Sequence, residues 1–222
     1  MKLVVISPEA DEPREHVVLS ELFSAGLERY HVRKPHWSQE KMSAWLDVVP
    51  NKWRSRLVLH QHHDLAVKFG CGGVHFKDPE VGRGVPAEPG ILGRDDAPHR
   101  PLRMRDLPPC LFTSRSCHDL ASLDTALGDY DAVFFSPIFP SISKQGYRPT
   151  IALEIVAERL SRRTDAERKT EVIALGGITP ANVTCCAELG FDGVAVLGAL
   201  WQSAEPLEVF DALQQSLSTH AA

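Results

Sequence analysis

The sequence predicts an α/β fold, a (β/α)₈ TIM barrel that forms one compact domain over residues 1–222. Short apolar runs alternate with amphipathic stretches along the whole chain. This alternation is typical of a parallel sheet whose strands are joined by helices. Eight apolar runs can be counted, which is the number that closes a barrel, and 222 residues are enough to bury one large core.

The strands are predicted where β-branched and other apolar residues run together and then break into Gly, Ser, Thr or Pro. They are Lys2–Ser7, Arg29–Arg33, Arg56–His60, Gly73–Phe76, Cys110–Ser114, Ala132–Ser136, Val172–Leu175 and Gly193–Leu197. The helices are predicted where apolar residues recur three and four positions apart. They are Asp11–Ala25, Ser38–Val49, His62–Phe69, His118–Leu127, Ile151–Leu160, Pro180–Leu189 and Glu205–Ser218.

Residues 77–109 interrupt this pattern, because they contain seven prolines and four glycines and show little periodicity. Such a composition predicts an irregular loop insertion within the single domain. A loop of this length at the mouth of a barrel either covers a binding site or is a tolerated surface insertion.

Composition and charge exclude several classes of function. The net charge of −5 comes without a basic stripe, so no nucleic-acid partner is expected. No apolar run has transmembrane length and the first residues do not resemble a signal peptide, so a cytoplasmic protein without a membrane partner is expected. The five cysteines lack metal-ligand spacing and are predicted to be reduced thiols.

Three apolar runs lead directly into loops rich in small and polar residues. These segments are Ser136–Lys144, Glu171–Thr179 and Phe191–Ala199. Gly176, Gly177 and Gly198 have no Cβ, so their backbone N–H groups can approach an oxyanion closely. Thr179 and Pro180 predict a helix start just beyond the first two, with Thr179 as the N-cap. The segments therefore predict a phosphate site on the loops after strands seven and eight, although a Gly pair can also serve only a tight turn.

The chain resembles the thiamine phosphate synthase and TenI family of (β/α)₈ barrels along nearly its whole length. Six segments at the ends of strands carry the resemblance: YHVRKPHWSQEKMSAWL, RLVLHQHHDLAVKFGCGGVHF, TSRSCHDLASL, YDAVFFSPIFPSISKQG, EVIALGGITPANV and LGFDGVAVLGALWQSAEPLE. The resemblance implies a protein of thiamine biosynthesis that binds a thiazole phosphate.

The chain departs from the family's synthases on strands two and three. Those enzymes join a pyrimidine pyrophosphate to a thiazole phosphate and use Mg²⁺ to neutralise the departing pyrophosphate. Their strand-two pattern Gln-x-Arg-x-Lys is replaced here by His31, Arg33 and Pro35. Their Asn-Asp pair on strand three is replaced by His60 and Gln61, which are poor ligands for Mg²⁺.

A second carboxylate ligand is expected after strand four, where Asp78 or Glu80 matches only with a shifted loop. The residues that would hold the thiazole phosphate are retained. This combination resembles the TenI branch, which implies a thiazole tautomerase that needs neither a metal nor a cofactor. In this interpretation His118 is the catalytic acid and base, because histidine titrates near neutral pH.

The resemblance and the side-chain chemistry together predict the remaining site residues. The substrate-binding residues are Arg33, His31, His60, Ser116, Ser141, Ser143 and Lys144, and the phosphate-binding residues are Gly176, Gly177 and Gly198. Two alternatives stay open: a thiamine phosphate synthase that uses Mg²⁺, and a non-catalytic thiazole phosphate binder or regulator. A homodimer is expected, because dimers are common among symmetric oligomers.

Three strand-end histidines, His31, His60 and His75, suggest a further possibility. If their side chains converge at the barrel mouth, three imidazoles suffice for a catalytic zinc site. Binding of a heterocycle or a carboxylate by these histidines is the preferred interpretation, and no metal ligand is assigned from the sequence.

Overall fold

The computed structural model is a closed barrel of eight parallel strands in the order β1 to β8, with β8 pairing with β1. It describes residues 1–78, 107–142, 146 and 148–219. The strands are β1 Lys2–Ile6, β2 Arg29–Val32, β3 Leu57–Leu59, β4 Gly73–Phe76, β5 Phe112–Cys117, β6 Ala132–Phe135, β7 Glu171–Leu175 and β8 Gly193–Val196. The predicted (β/α)₈ fold is therefore confirmed, while most of the predicted insertion at 77–109 lies outside the described residues.

Among the described residues, helices follow β1 to β3 and β5 to β8, and they cover the outside of the barrel. They are α1 Glu15–Ser24, α2 Gln39–Val48, α3 Asn51–Arg54, α4 His63–Phe69, α5 Leu120–Ala126, α6 Leu153–Ser161, α7 Val183–Glu188, α8 Gly198–Trp201 and α9 Pro206–Thr219. No described helix combines the length and the apolar character that crossing a bilayer requires.

The side chains of each strand alternate between the barrel interior and the helix layer. Inside the barrel, a small apolar cluster is formed by Val4, Ile6, Ala132, Phe134, Ile173 and Ala195. A much larger cluster lies between the strands and the helices, and it includes Tyr30, Leu46, Leu59 and Phe210. The large core thus surrounds the sheet, and the interior has room for polar side chains.

Two elements have bounds that differ from the predicted ones in ways that affect the site. The fifth strand runs over Phe112–Cys117 rather than 110–114, so Ser116 belongs to the strand itself. The helix predicted over 180–189 begins at Val183, and Thr179 is not its side-chain cap. Instead the Thr179 carbonyl accepts from the N–H groups of Asn182 and Val183, because a hydrogen-bonded turn precedes the helix proper.

Two short helices were not predicted, because four residues are too few to show a helical period. They are α3, which follows Pro50, and α8, which begins at Gly198.

A buried ion pair ties the end of β2 to α1. The Lys34 ammonium donates to the Glu15 carboxylate at 2.6 Å and to the Ala10 carbonyl at 3.0 Å. Tyr30 donates to the other oxygen of Glu15 at 2.8 Å. Burial raises the pKa of Glu15, although Lys34 and Tyr30 both favour its ionised form. Lys34 lies on the outer face of the barrel wall and so does not replace the lysine that the family's synthases carry one residue later.

We expect Lys34→Ala to lower the free energy of unfolding by about 3–5 kcal/mol, because it leaves the Glu15 carboxylate buried without its cation. The measurement is equilibrium unfolding in urea. Lys41→Ala is the matched control, since Lys41 pairs with Asp11 at 2.7 Å on the exposed surface, where such pairs contribute little. Equal losses for the two variants would contradict this account of the buried pair.

Candidate active site at the barrel mouth

A pocket of about 150 Å³ opens at the carboxyl end of the barrel. We call it the mouth pocket. It is lined by Ile6, Glu9, Arg33, Ser136, Ser141, Ile142, Leu175, Gly176, Gly177, Ile178, Ala195, Val196, Leu197, Gly198 and Ala199. The walls therefore come mainly from the ends of β1, β6, β7 and β8, which is where barrels of this class bind phosphate groups.

The predicted phosphate-binding glycines all line this pocket. Gly176 and Gly177 follow β7 with φ angles of +101° and +68°, a region that L-residues with a Cβ rarely adopt. A Cβ on Gly177 would lie 2.5 Å from the Pro140 carbonyl oxygen, and one on Gly176 would lie 2.9 Å from the Pro137 side chain. The Gly pair therefore has a structural role besides the predicted one, since it admits the loop that follows β6.

Arg33 and Ser141 line the pocket from opposite sides. Arg33 follows β2, and its backbone N–H donates to the Ser7 hydroxyl at 2.7 Å. Its guanidinium pairs with Glu9, a pocket residue that no sequence motif indicates. Among the described residues that line the pocket, Arg33 carries the positive charge. A bound anion must compete with Glu9 for its guanidinium. Ser143 and Lys144, which were predicted to bind substrate, lie outside the described residues.

His118 does not line the mouth pocket. Its Nδ1 lies 3.0 Å from the carbonyl oxygen of Ser136, which can only accept, so Nδ1 carries the proton in that contact. The ring lines a separate small cavity with Ile138, Ile151 and other residues of the β6 and α6 region. Ser136 borders the mouth pocket and contacts His118, so one residue separates the predicted acid and base from the pocket. The catalytic role of His118 stays a prediction.

The structure brings His31, His60 and His75 together inside the barrel, below the mouth. Nδ1 of His31 lies 3.1 Å from Nε2 of His60, and the rings of His60 and His75 stack with centroids 4.0 Å apart. One ring nitrogen from each histidine lies within 4.8 Å of the other two. We call these residues the histidine cluster. Neither His31 nor His60 lines the mouth pocket, so their predicted contact with substrate stays a prediction.

The histidine cluster is held in the neutral state by its surroundings. Burial, with smaller contributions from the charges of His63, Arg33 and His118, lowers the pKa of His75 to about 3. Burial also lowers the pKa values of His31 and His60 well below the ordinary value for histidine. Three imidazoles therefore present uncharged nitrogen atoms to one small volume.

Two serines of β5 position His75. Nδ1 of His75 lies 2.9 Å from the Ser114 hydroxyl, and Nε2 lies 2.8 Å from the Ser116 hydroxyl. Ser116, which was predicted to contact substrate, is thus placed against the histidine cluster instead of the mouth pocket. Ser114 was missed at the sequence level, although alternation along β5 places it on the same face as Ser116.

The residues at the synthases' expected metal positions are engaged elsewhere. The Gln61 side-chain amide donates to the Lys34 carbonyl. The Asp78 carboxylate accepts from the Arg115 guanidinium at 3.4 Å. Glu80 lies outside the described residues. Over residues 1–78, 107–142, 146 and 148–219, the histidine cluster is the single convergent set of three or more metal-binding side chains.

Comparison with known proteins identifies the family. A family model described as thiamine monophosphate synthase (TMP-TENI) matches residues 3–200. The chain belongs to this family. The family assignment made from the six sequence segments is therefore confirmed.

The chain also matches proteins named thiamine-phosphate synthase at moderate sequence identity. A thiamine-phosphate synthase of Methylobacillus flagellatus is 29% identical over 212 residues, covering 91% of this chain and 88% of that protein. One from Thiobacillus denitrificans is 39% identical over 151 residues, covering 66% of this chain and 60% of that protein. Two relatives of the same name from Haemophilus influenzae are matched over 64–69% of their length.

Solved structures agree with the family and the fold. The thiamine phosphate pyrophosphorylase of Bacteroides thetaiotaomicron superposes with a TM-score of 0.71 at 26% identity, covering 98% of each chain. These relatives are named as synthases, whereas the sequence departures favoured the tautomerase branch. The family's names therefore support the synthase alternative better than the tautomerase interpretation.

An L-residue in a left-handed backbone conformation costs roughly 1–2 kcal/mol. We expect Gly177→Ala to lower the free energy of unfolding by more than this, because its Cβ would also meet the loop after β6. Gly70→Ala is the matched control: Gly70 has a φ of +67°, and a Cβ there would meet nothing within 4 Å. Thermal unfolding of both variants measures the difference. Equal destabilisation would mean that the close approach of the loop contributes nothing.

Proposed function

We propose that the chain is a thiamine-phosphate synthase, which joins hydroxymethylpyrimidine pyrophosphate to a thiazole phosphate and releases pyrophosphate. The observation that carries the proposal is the mouth pocket. Its walls include the backbone of Gly176, Gly177 and Gly198 and the positively charged side chain of Arg33. Family membership and the names of the relatives supply the reaction.

The pocket suits a phosphorylated heterocycle in its chemistry. Peptide groups of Gly176, Gly177 and Gly198 line the pocket and can donate N–H groups to an anion. The space that the missing Cβ leaves at Gly176 and Gly177 is itself taken by the loop after β6. Apolar side chains of Ile6, Leu175 and Ile178 line the same pocket and suit the faces of a ring. Ser141 supplies a hydroxyl that can orient the substrate, and Arg33 supplies the positive charge.

The Mg²⁺ that synthases of the family use does not fit the described residues. Gln61 and Asp78 are engaged by the protein, and the imidazoles of the histidine cluster are poor ligands for an ion that prefers carboxylate oxygens and water. This mismatch favours a second candidate function, thiazole tautomerisation, which requires no leaving group. The position of His118 outside the mouth pocket weighs against that candidate, because a general acid or base must reach the proton that it transfers.

The two candidates are separated by assays with purified, untagged protein. With hydroxymethylpyrimidine pyrophosphate and thiazole phosphate at saturating Mg²⁺, we expect thiamine phosphate, measured by chromatography, with each substrate omitted in turn as the control. Proton exchange into a thiazole carboxylate phosphate, followed by NMR in D₂O, tests the tautomerase. Coupling that stays absent would overturn the synthase proposal. Exchange without coupling would establish the second candidate, and binding without either reaction would establish a non-catalytic binder.

His118→Asn reports on the second candidate alone. If the chain is a tautomerase with His118 as acid and base, turnover falls by about 10²–10⁴-fold while affinity for the thiazole phosphate is kept.

We expect Arg33→Gln to raise the KM for thiazole phosphate about tenfold or more, because a hydrogen bond to a charged group contributes about 1.5–3 kcal/mol. Steady-state kinetics and equilibrium binding of the thiazole phosphate measure the change. Arg162→Gln is the matched control, since Arg162 is an exposed residue just beyond α6 that pairs with Glu158 of that helix. An unchanged KM and affinity for Arg33→Gln would remove Arg33 from the binding site.

A further inference from the structure

We propose that the histidine cluster, His31, His60 and His75, binds one late first-row divalent cation, with Zn²⁺ as the representative ion. This inference goes beyond the proposed function and stands on the barrel interior rather than on the mouth pocket. It also departs from the sequence-level expectation that these histidines bind a heterocycle or a carboxylate.

The geometry of the cluster is close to that of a metal site. His31, His60 and His75 are 0%, 8% and 2% exposed, and they come from the neighbouring strand ends of β2, β3 and β4. Two nitrogen ligands of a tetrahedral Zn²⁺ lie about 3.3 Å apart, since each Zn–N bond is about 2.0–2.1 Å. The 3.1 Å separation of His31 Nδ1 and His60 Nε2 is already near that value. The ligand atoms of the widest pair lie within 4.8 Å of each other, so they must come closer when a cation binds.

An unmet polar atom points to a ligand. Nε2 of His31 is buried and has no hydrogen-bond partner among the described residues. Leaving such an atom unpaired costs about 1–3 kcal/mol, so buried nitrogen atoms without a partner are rare in native proteins. A cation that binds Nε2 removes this cost, whereas one that binds Nδ1, the nitrogen that faces His60, leaves Nε2 unpaired. Metal binding through Nε2 therefore accounts for this buried atom.

The donor set determines the class of ion. Three neutral imidazoles suit Zn²⁺, Cu²⁺, Ni²⁺ and Fe²⁺, whereas Mg²⁺ and Ca²⁺ require oxygen ligands. Three protein ligands leave a fourth position for water or substrate, which is the arrangement of catalytic zinc sites.

Ser114 completes the site as a positioning residue. Metal-bound histidines usually donate their second ring N–H to a neighbouring oxygen, which fixes the ring orientation. The Ser114 hydroxyl lies 2.9 Å from His75 Nδ1 and also 3.5 Å from the Val74 carbonyl oxygen, to which it donates. His75 can therefore donate a hydrogen bond from Nδ1–H to the Ser114 hydroxyl and offer Nε2 to the cation, which releases the contact with Ser116.

The test is direct measurement of metal on the untagged full chain, with no assay of activity. After treatment with a chelator and dialysis, titration with ZnCl₂ in a calorimeter is expected to show one equivalent per chain and to raise the melting temperature. Co²⁺ is expected to give the visible absorption of a tetrahedral site. We expect His60→Gln to abolish all three signals and Ser114→Ala to weaken Zn²⁺ binding by about 10–100-fold.

His36→Gln is the matched control, because His36 is exposed and lies outside the cluster. Retained binding in His36→Gln with lost binding in His60→Gln supports the proposal. Absent Zn²⁺ binding in the wild-type chain, or binding that His60→Gln leaves unchanged, overturns it. Circular dichroism checks that His60→Gln folds; if it does not, His31→Gln takes its place in the same titration. A chain that binds Zn²⁺ but catalyses neither candidate reaction would keep this inference and refute only the proposed function.

Discussion

Closure of the sheet between β8 and β1 is the constraint on which the rest of the structure depends. Because the eight strands are parallel and their hydrogen bonds form a ring, all their carboxyl ends meet at one mouth. Alternation along each strand then directs every second side chain into the same narrow interior. Residues that are far apart in the chain, such as His31 and His75, become neighbours for this reason alone.

The division between interior and outer layer explains how the chain stays stable with polar side chains in the interior of its barrel. Most apolar burial occurs between strands and helices, where Tyr30, Leu59 and Phe210 pack. The interior cluster is small, and Phe134 contacts both His31 and His75 there, with ring centroids 4.6 and 5.1 Å apart. Polar groups in the interior therefore replace little of the core, and the outer layer supplies the stability that lets them be retained for function.

The carboxyl half of the barrel has two chemically distinct parts. One part is the mouth pocket, whose glycine backbone, Arg33 and Ser141 suit a phosphorylated ring. The other part is the interior of β2 to β5, where family synthases carry oxygen ligands and this chain carries imidazoles and serines. The first part agrees with the family's reaction, whereas the second has the donor atoms of a different class of metal. Gly176 and Gly177 belong to both the pocket and the packing of the loop after β6, so the shape of the pocket is coupled to the fold.

The sequence alone determined the number, type and order of the strands, because apolar period and loop composition are local properties that each segment carries by itself. It also determined the family, since the motifs that identify it lie in continuous segments. Only the tertiary structure decided which predicted residues share a site. Arg33, Ser141 and the three glycines meet in one pocket, while the His118 ring turns toward the Ser136 carbonyl and Ser116 turns toward His75. These outcomes depend on strand register and on ring orientation across the barrel, which are set by packing between distant segments and are not encoded in any one of them.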